Sequence, residues 1–187
     1  ETSSVDVTKI IEEKNISEIE MVEYAEDFFL SMGFEPLPST FWERSLFVKP
    51  QDRSVVCHAS AWNLDPAEND LRIKMCIEKN EEDFITIHHE LGHIFYYQAY
   101  NHLPTLFQGG ANDGFHEAFG DLLTLSITPD YLKNIGFISE VEAEEVKEDA
   151  IGLLMKQALE GVVVVPWALM LDKWRAGVFN GETGQDE

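Results

Sequence analysis

His89-Glu90-Leu91-Gly92-His93 places two imidazoles four residues apart, with a carboxylate beside the first. On a helix, positions four apart differ by only about 40° around the axis, so His89 and His93 project from one face, one turn apart. Two imidazoles so placed can hold one zinc ion at about 2.0 to 2.1 Å each. Glu90 falls on the adjoining face, near such an ion but badly placed to share it with both histidines, and suits a base acting on metal-activated water. The five residues define a hydrolytic metal half-site that calls for a third ligand. Glu117, in Gly114-Phe115-His116-Glu117-Ala118-Phe119-Gly120-Asp121, supplies one near the start of a second helix, and Asp121 follows four residues later on the same face. A ligating carboxylate with a second carboxylate one turn on, able to orient an imidazole, is an arrangement zinc sites use. The expected site is His89, His93, Glu117 and one water, with Glu90 as base and Asp121 in support.

Five-residue matches also arise by accident, so the elements around them matter. Asn80 is a good cap for a helix running to about Tyr100, and Leu91, Ile94 and Phe95 give that helix an apolar side to bury. His88 points about 140° away from His93 around the axis and is expected to pack or meet solvent. His102, in a loop, is expected at the surface. His116 either lines the cleft or makes a supporting hydrogen bond.

The remaining elements are read from periodicity. Ile16 to Met32 is expected as a helix capped by Ser17 and stopped by Gly33. Val- and Phe-rich stretches from Ser45 to Trp62, and alternating Leu71, Ile73, Met75 and Ile77, predict a small antiparallel sheet. Cys57 and Cys76 then lie on neighbouring strands, where either a bridge or two free thiols can be accommodated. Further helices are expected from Gly114 to Ser126, from near Glu140 to Glu160, and from Pro166 to Asn180-Gly181. The acidic run Glu140 to Asp149 reads as a solvated face, and Trp167, Trp174 and Phe179 as core. The architecture is mainly α with a minor sheet. No repeat, linker or low-complexity tract divides residues 1–187, so one unit is expected.

The 187 residues carry 13 basic and 35 acidic side chains, a formal net charge of −22, and are 44% hydrophobic. That much apolar side chain builds a core, and such an acidic surface repels phosphate backbones and anionic headgroups, which argues against nucleic acid and membrane partners. No apolar run is long enough to span a bilayer, since Gly161 to Met170 is interrupted by Pro166. Glu1 to Lys9 shows no signal-peptide pattern. Two cysteines exclude a disulfide-dense scaffold.

Val56-Cys57-His58-Ala59-Ser60-Ala61-Trp62, the His88 to His93 block and Gly110-Ala111-Asn112-Asp113-Gly114-Phe115-His116-Glu117-Ala118-Phe119-Gly120-Asp121 together resemble the angiotensin-converting enzyme family of zinc peptidyl-dipeptidases. The likeness extends from about Tyr24 to Phe179, including Phe41-Trp42, Lys49-Pro50 and Asp172-Lys173-Trp174-Arg175. The resemblance implies zinc held by His89, His93 and Glu117, Glu90 as catalytic base, and Asp121 as supporting carboxylate. It implies that His58 hydrogen-bonds a substrate carbonyl and that Ala59 and Ala61 lie on a strand whose backbone takes the peptide as an added β-strand. Asp83 and Thr86 match positions lining the pockets beyond the cleaved bond, and Cys57 and Cys76 match a family disulfide, which favours an extracellular or periplasmic compartment.

The resemblance covers only the middle part of a larger, elongated helical zincin-like domain. The family's oxyanion-stabilising tyrosine and histidine, its carboxylate-gripping lysine and tyrosine, and its chloride ligands match nothing within residues 1–187. Asn112-Asp113-Gly114 stands where animal members commonly have Asn-Pro-Gly, which points to a bacterial-type or otherwise divergent member. The expected function is release of C-terminal dipeptides from peptide substrates. The alternative is a catalytically incompetent zinc-binding fragment or interaction protein, and surface left open by truncation would favour self-association.

Overall fold

The computed structural model describes residues 5–148 and 150–184. Two compact units make up the chain: Asp6–Glu140, and a second that takes in Val141–Glu187.

The first unit is organised by one long buried helix. Helix α1 spans Val7–Glu13, α2 Glu18–Ser31 and α3 Ser39–Arg44; strands β1 (Ser60–Asp65) and β2 (Asp70–Lys74) form an antiparallel hairpin; α4 runs Glu81–Asn101, α5 Asp113–Thr124 and α6 Pro129–Asn134. Helix α2 begins where Ser17 and Glu20 close a reciprocal capping box, and the chain leaves it through Gly33 at φ +91°, a conformation that costs a residue without Cβ little. Asn80 caps α4 by accepting from the Asp83 N–H at 2.7 Å. Phe84, Ile87, Leu91, Ile94 and Phe95 of α4 are fully buried, and Phe95 stacks on Phe29 of α2 with ring centroids 4.2 Å apart. Helix α4 also packs against α5 and the hairpin. It is thus fixed from three sides, as a helix carrying reactive side chains at its middle needs to be.

The architecture is mainly α with a two-stranded antiparallel sheet, as expected. The sheet is smaller than the periodicity suggests. Residues 54–59 form no strand, and beyond Lys74 the N–H groups of Met75 and Ile77 bond the carbonyls of Leu46 and Phe47 instead. Three short helices, α1, α3 and α6, leave no periodic signal in the sequence, because six or seven residues give too few turns for a period to show. Arg44 of α3 and Arg72 of β2 both pair with Asp70, each at 2.7 Å, locking that helix to the hairpin.

In the second unit, α7 spans Glu140–Glu148, and the acidic run is solvent-facing at Glu142, Glu144 and Glu145, while Asp149 lies outside the described residues. Helix α8 runs Ala150–Asn180 without a break at Pro166, against the expectation that proline opens a separate helix. Pro166 forgoes one backbone hydrogen bond, and the helix formers after it, Ala168 to Leu171, carry the helix on. Trp167, Trp174 and Phe179, expected in the core, are 57%, 55% and 79% exposed. Hydrophobicity alone points to a core, but the apolar residues of α8 are not gathered on one face, so their pattern does not say which side is covered.

Candidate metal centre

His89 and His93 sit one turn apart at the middle of α4, and Glu117 and Asp121 one turn apart on α5. Asn112 sets the phase of α5 by accepting from the Phe115 N–H at 2.6 Å. The helices cross where two glycines meet. A Cβ on Gly92 would lie 3.0 Å from the Gly120 Cα, and one on Gly120 would lie 2.8 Å from His89 Nδ1. Each glycine costs helix stability relative to alanine and in return allows the backbones to approach.

Across that crossing three donor atoms converge. His89 Nε2 and His93 Nε2 are 3.0 Å apart, and Glu117 Oε2 lies 3.3 Å from the first and 3.6 Å from the second. Tetrahedral ligands about 2.1 Å from one ion stand about 3.4 Å from each other, so the separations fit a single small divalent cation. Among the described residues these three side chains are the group able to hold one. Two nitrogens and one carboxylate oxygen are a donor set suited to zinc, with room for a water. The imidazoles are largely buried, whereas the Glu117 and Asp121 carboxylates stand open to solvent on the rim. Asp121 Oδ1 accepts from His89 Nδ1 at 3.0 Å, which leaves Nε2 of that ring free to face the other donors.

Glu90 is buried beside the cluster, and burial, reinforced by Glu117, holds its carboxyl above the usual carboxylate range, against opposing pulls from His89 and His58. A carboxyl tuned upward accepts a proton more readily than an ordinary carboxylate, as a general base requires. Burial, with His89 beside it, pushes the His93 imidazole down to about 4. The His93 ring is therefore held in the neutral form, the form that binds a metal.

The other expected residues lie on β1, on the segment before it, on α4 and just after α4. His58 is exposed, its Nδ1–H donating to the Ala59 carbonyl at 2.8 Å, and it follows Cys57, which is disulfide-bonded to Cys76 with Cα atoms 5.1 Å apart. Ala61 is on β1, whereas Ala59 precedes the strand. Thr86 lies one turn before Glu90 on α4, its hydroxyl donating to the Glu82 carbonyl, and Asp83 lies a further turn back, its carboxylate accepting from the Glu78 N–H at 2.6 Å. His102 is exposed. His88 is fully buried; its Nδ1–H donates to the Phe84 carbonyl at 2.8 Å and its Nε2 accepts from the Tyr131 hydroxyl at 2.9 Å, tying α4 to α6.

Sequence reasoning overlooked the aromatic wall beside His93. Tyr96 and Tyr97 follow His93 by three and four residues, so helical spacing already placed them on its face. Their rings pack on His116, with centroids 4.5 and 4.8 Å away. Burial, then Glu90 and Glu117, raises the Tyr97 hydroxyl pKa, which keeps it a neutral donor.

The chain is similar to known proteins over its whole length. The family described as angiotensin-converting enzyme matches residues 1–187. The chain is 42% identical over 184 residues to angiotensin-converting enzyme of Bos taurus, covering 97% of this chain and 14% of that protein. The corresponding protein of Mesocricetus auratus is 44% identical over 182 residues, covering 96% and 14%. That of Haematobia irritans exigua is 40% identical over 185 residues, covering 98% and 30%. The chain belongs to the angiotensin-converting enzyme family. It spans about one-seventh of the length of the mammalian relatives and under a third of the fly relative. No helix among the described residues is long and apolar enough to cross a membrane.

Proposed function

We propose that residues 1–187 form the metal-holding part of a catalytic domain that releases dipeptides from the C-terminus of peptides. The observation that carries this reading is the convergence of His89, His93 and Glu117 at 3.0 to 3.6 Å on a chain of this family. These three would hold zinc, which when bound supplies the positive charge that acidifies a water and polarises a carbonyl. Glu90 takes the proton from the attacking water and delivers it to the leaving amine. Asp121 holds the His89 ring in the tautomer that leaves Nε2 free. In the described residues the hairpin has two strands, so β1 has an edge open to an added peptide strand near Ala59 and Ala61. His58 stands ready to hydrogen-bond the substrate carbonyl, and Asp83 and Thr86 to line the pockets beyond the cleaved bond. The Cys57–Cys76 disulfide supports an extracellular or periplasmic setting.

Glu90→Ala tests the assignment. The variant should keep one equivalent of zinc after dialysis and lose hydrolysis; a variant retaining most activity would refute Glu90 as base. Comparing a peptide with a free C-terminus against its amidated form separates dipeptide release from internal cleavage.

A second reading, a zinc-binding fragment that acts through association, is favoured by α8, where Val162 to Val165 are all more than half exposed. Such a surface is covered either by further chain or by another copy. Under the second reading, sedimentation of the 187-residue chain gives a concentration-dependent dimer or higher species, whereas a clean monomer over a hundredfold dilution counts against it.

A further inference from the structure

His93 uses one ring nitrogen toward the donor cluster, and its other nitrogen has a partner that none of the roles above employs. Nδ1 of His93 lies 2.6 Å from Nδ1 of His116, on α5. An imidazole that meets a metal through Nε2 carries its proton on Nδ1 and must donate it. His116 Nδ1 is therefore the acceptor, and the His116 proton sits on Nε2, which faces the Tyr100 hydroxyl at 3.5 Å.

The acceptor is held on several sides. Tyr96 and Tyr97 pack against its ring, and a Cβ on Gly110 would come within 3.0 Å of His116 Cδ2, so the loop before α5 closes over its edge. That loop is in turn tied to α4 by the Ala111 N–H, which donates to the Tyr96 hydroxyl at 3.1 Å. The two histidines of α4 are thus supported unequally. His89 donates to an exposed carboxylate, His93 to a neutral ring in an aromatic cradle. A neutral acceptor orients its partner without adding a third negative charge beside Glu117 and Asp121, so less of a divalent ion's charge is cancelled.

We propose that His116 is a positioning residue for the metal centre: its Nδ1 accepts the His93 Nδ1–H and fixes the ring orientation in which His93 Nε2 faces Glu117 and His89. The proposal rests on the metal-centre reading above. It concerns metal affinity and ligand geometry and assigns His116 no proton transfer to substrate.

Asparagine and glutamine at 116 provide the test, because the asparagine amide reaches the place of Nδ1 whereas the glutamine amide reaches the place of Nε2. Zinc affinity of the 187-residue chain is measured by competition with a chromophoric chelator, and the cobalt(II)-loaded protein is followed by its visible absorption and by the hyperfine-shifted N–H proton signal of His93. H116N should bind zinc within about threefold of wild type and keep a slowly exchanging His93 N–H. H116Q and H116F should bind about 10- to 100-fold more weakly, with that signal lost to solvent exchange. Equal affinities and identical cobalt spectra for H116N and H116Q would overturn the proposal. Wild type failing to bind one zinc, or His93→Ala binding it as tightly, would overturn the metal-centre reading and the proposal with it.

Discussion

Each imidazole of the cluster is held by one further group, His89 by Asp121 and His93 by His116. Asp121 is the simplest case, because it reaches His89 Nδ1 at 3.0 Å while its own side chain stays 77% exposed. Asp121→Asn keeps an acceptor but removes the charge that strengthens His89 as a donor. Zinc affinity should fall by about 10- to 100-fold while the fold is kept, as read by chelator competition and circular dichroism. Glu117 was legible from its spacing to Asp121, since both follow from one helical turn. The link between His93 and His116 was not, because nothing in the order of residues says which of two neighbours on α5 would turn inward.

The crossing of α4 and α5 is set by Gly92 and Gly120. Gly120→Ala puts a methyl against the His89 ring, within 2.8 to 3.1 Å of three ring atoms. Either the ring turns away from Asp121 or the helices separate; both cost zinc affinity, and overpacking of this kind destabilises by about 1 to 3 kcal/mol. Urea titration with and without zinc should show the variant less stable in both states and with a smaller zinc-dependent gain. Caps were the most readable features of these helices. Ser17 and Asn80, the caps the sequence predicts, each bond the third residue on, and Asn112 does the same for α5, which the sequence pattern opens only at Gly114. The expected break at Pro166 failed because proline weakens a helix locally without deciding whether its neighbours continue it.

In the unit from Asp6 to Glu140, one ion-pair knot joins α3 to the hairpin. Arg72, then Arg44, holds the nearly buried Asp70 carboxyl down at about 2, below its ordinary 3.8. The folded state keeps this charge where the unfolded chain begins to protonate, so the contribution is complete above about pH 4 and is lost as pH falls toward 2. Asp70→Asn should be less stable than wild type at pH 7, and the gap between them should narrow from about pH 4 downward. Chemical denaturation at pH 7, 4, 3 and 2 measures it; a gap independent of pH would rule the linkage out. In the other unit, α8 carries a long exposed apolar run, from Ile151 to Phe179.

Local chemistry determined a good deal here. Helical phase alone aligns His89 with His93 and Glu117 with Asp121, and capping residues start α2, α4 and α5, because these depend on neighbours within one or two turns. Decisions that involve distant segments were out of reach. The meeting of Gly92 with Gly120, the ring of His116 against His93, the pairing of Leu46 and Phe47 with residues 75–77, and the open face of α8 all depend on which surfaces pack. Packing joins residues far apart in the chain, and a period of 3.6 or 2 carries no record of the partner on the other side.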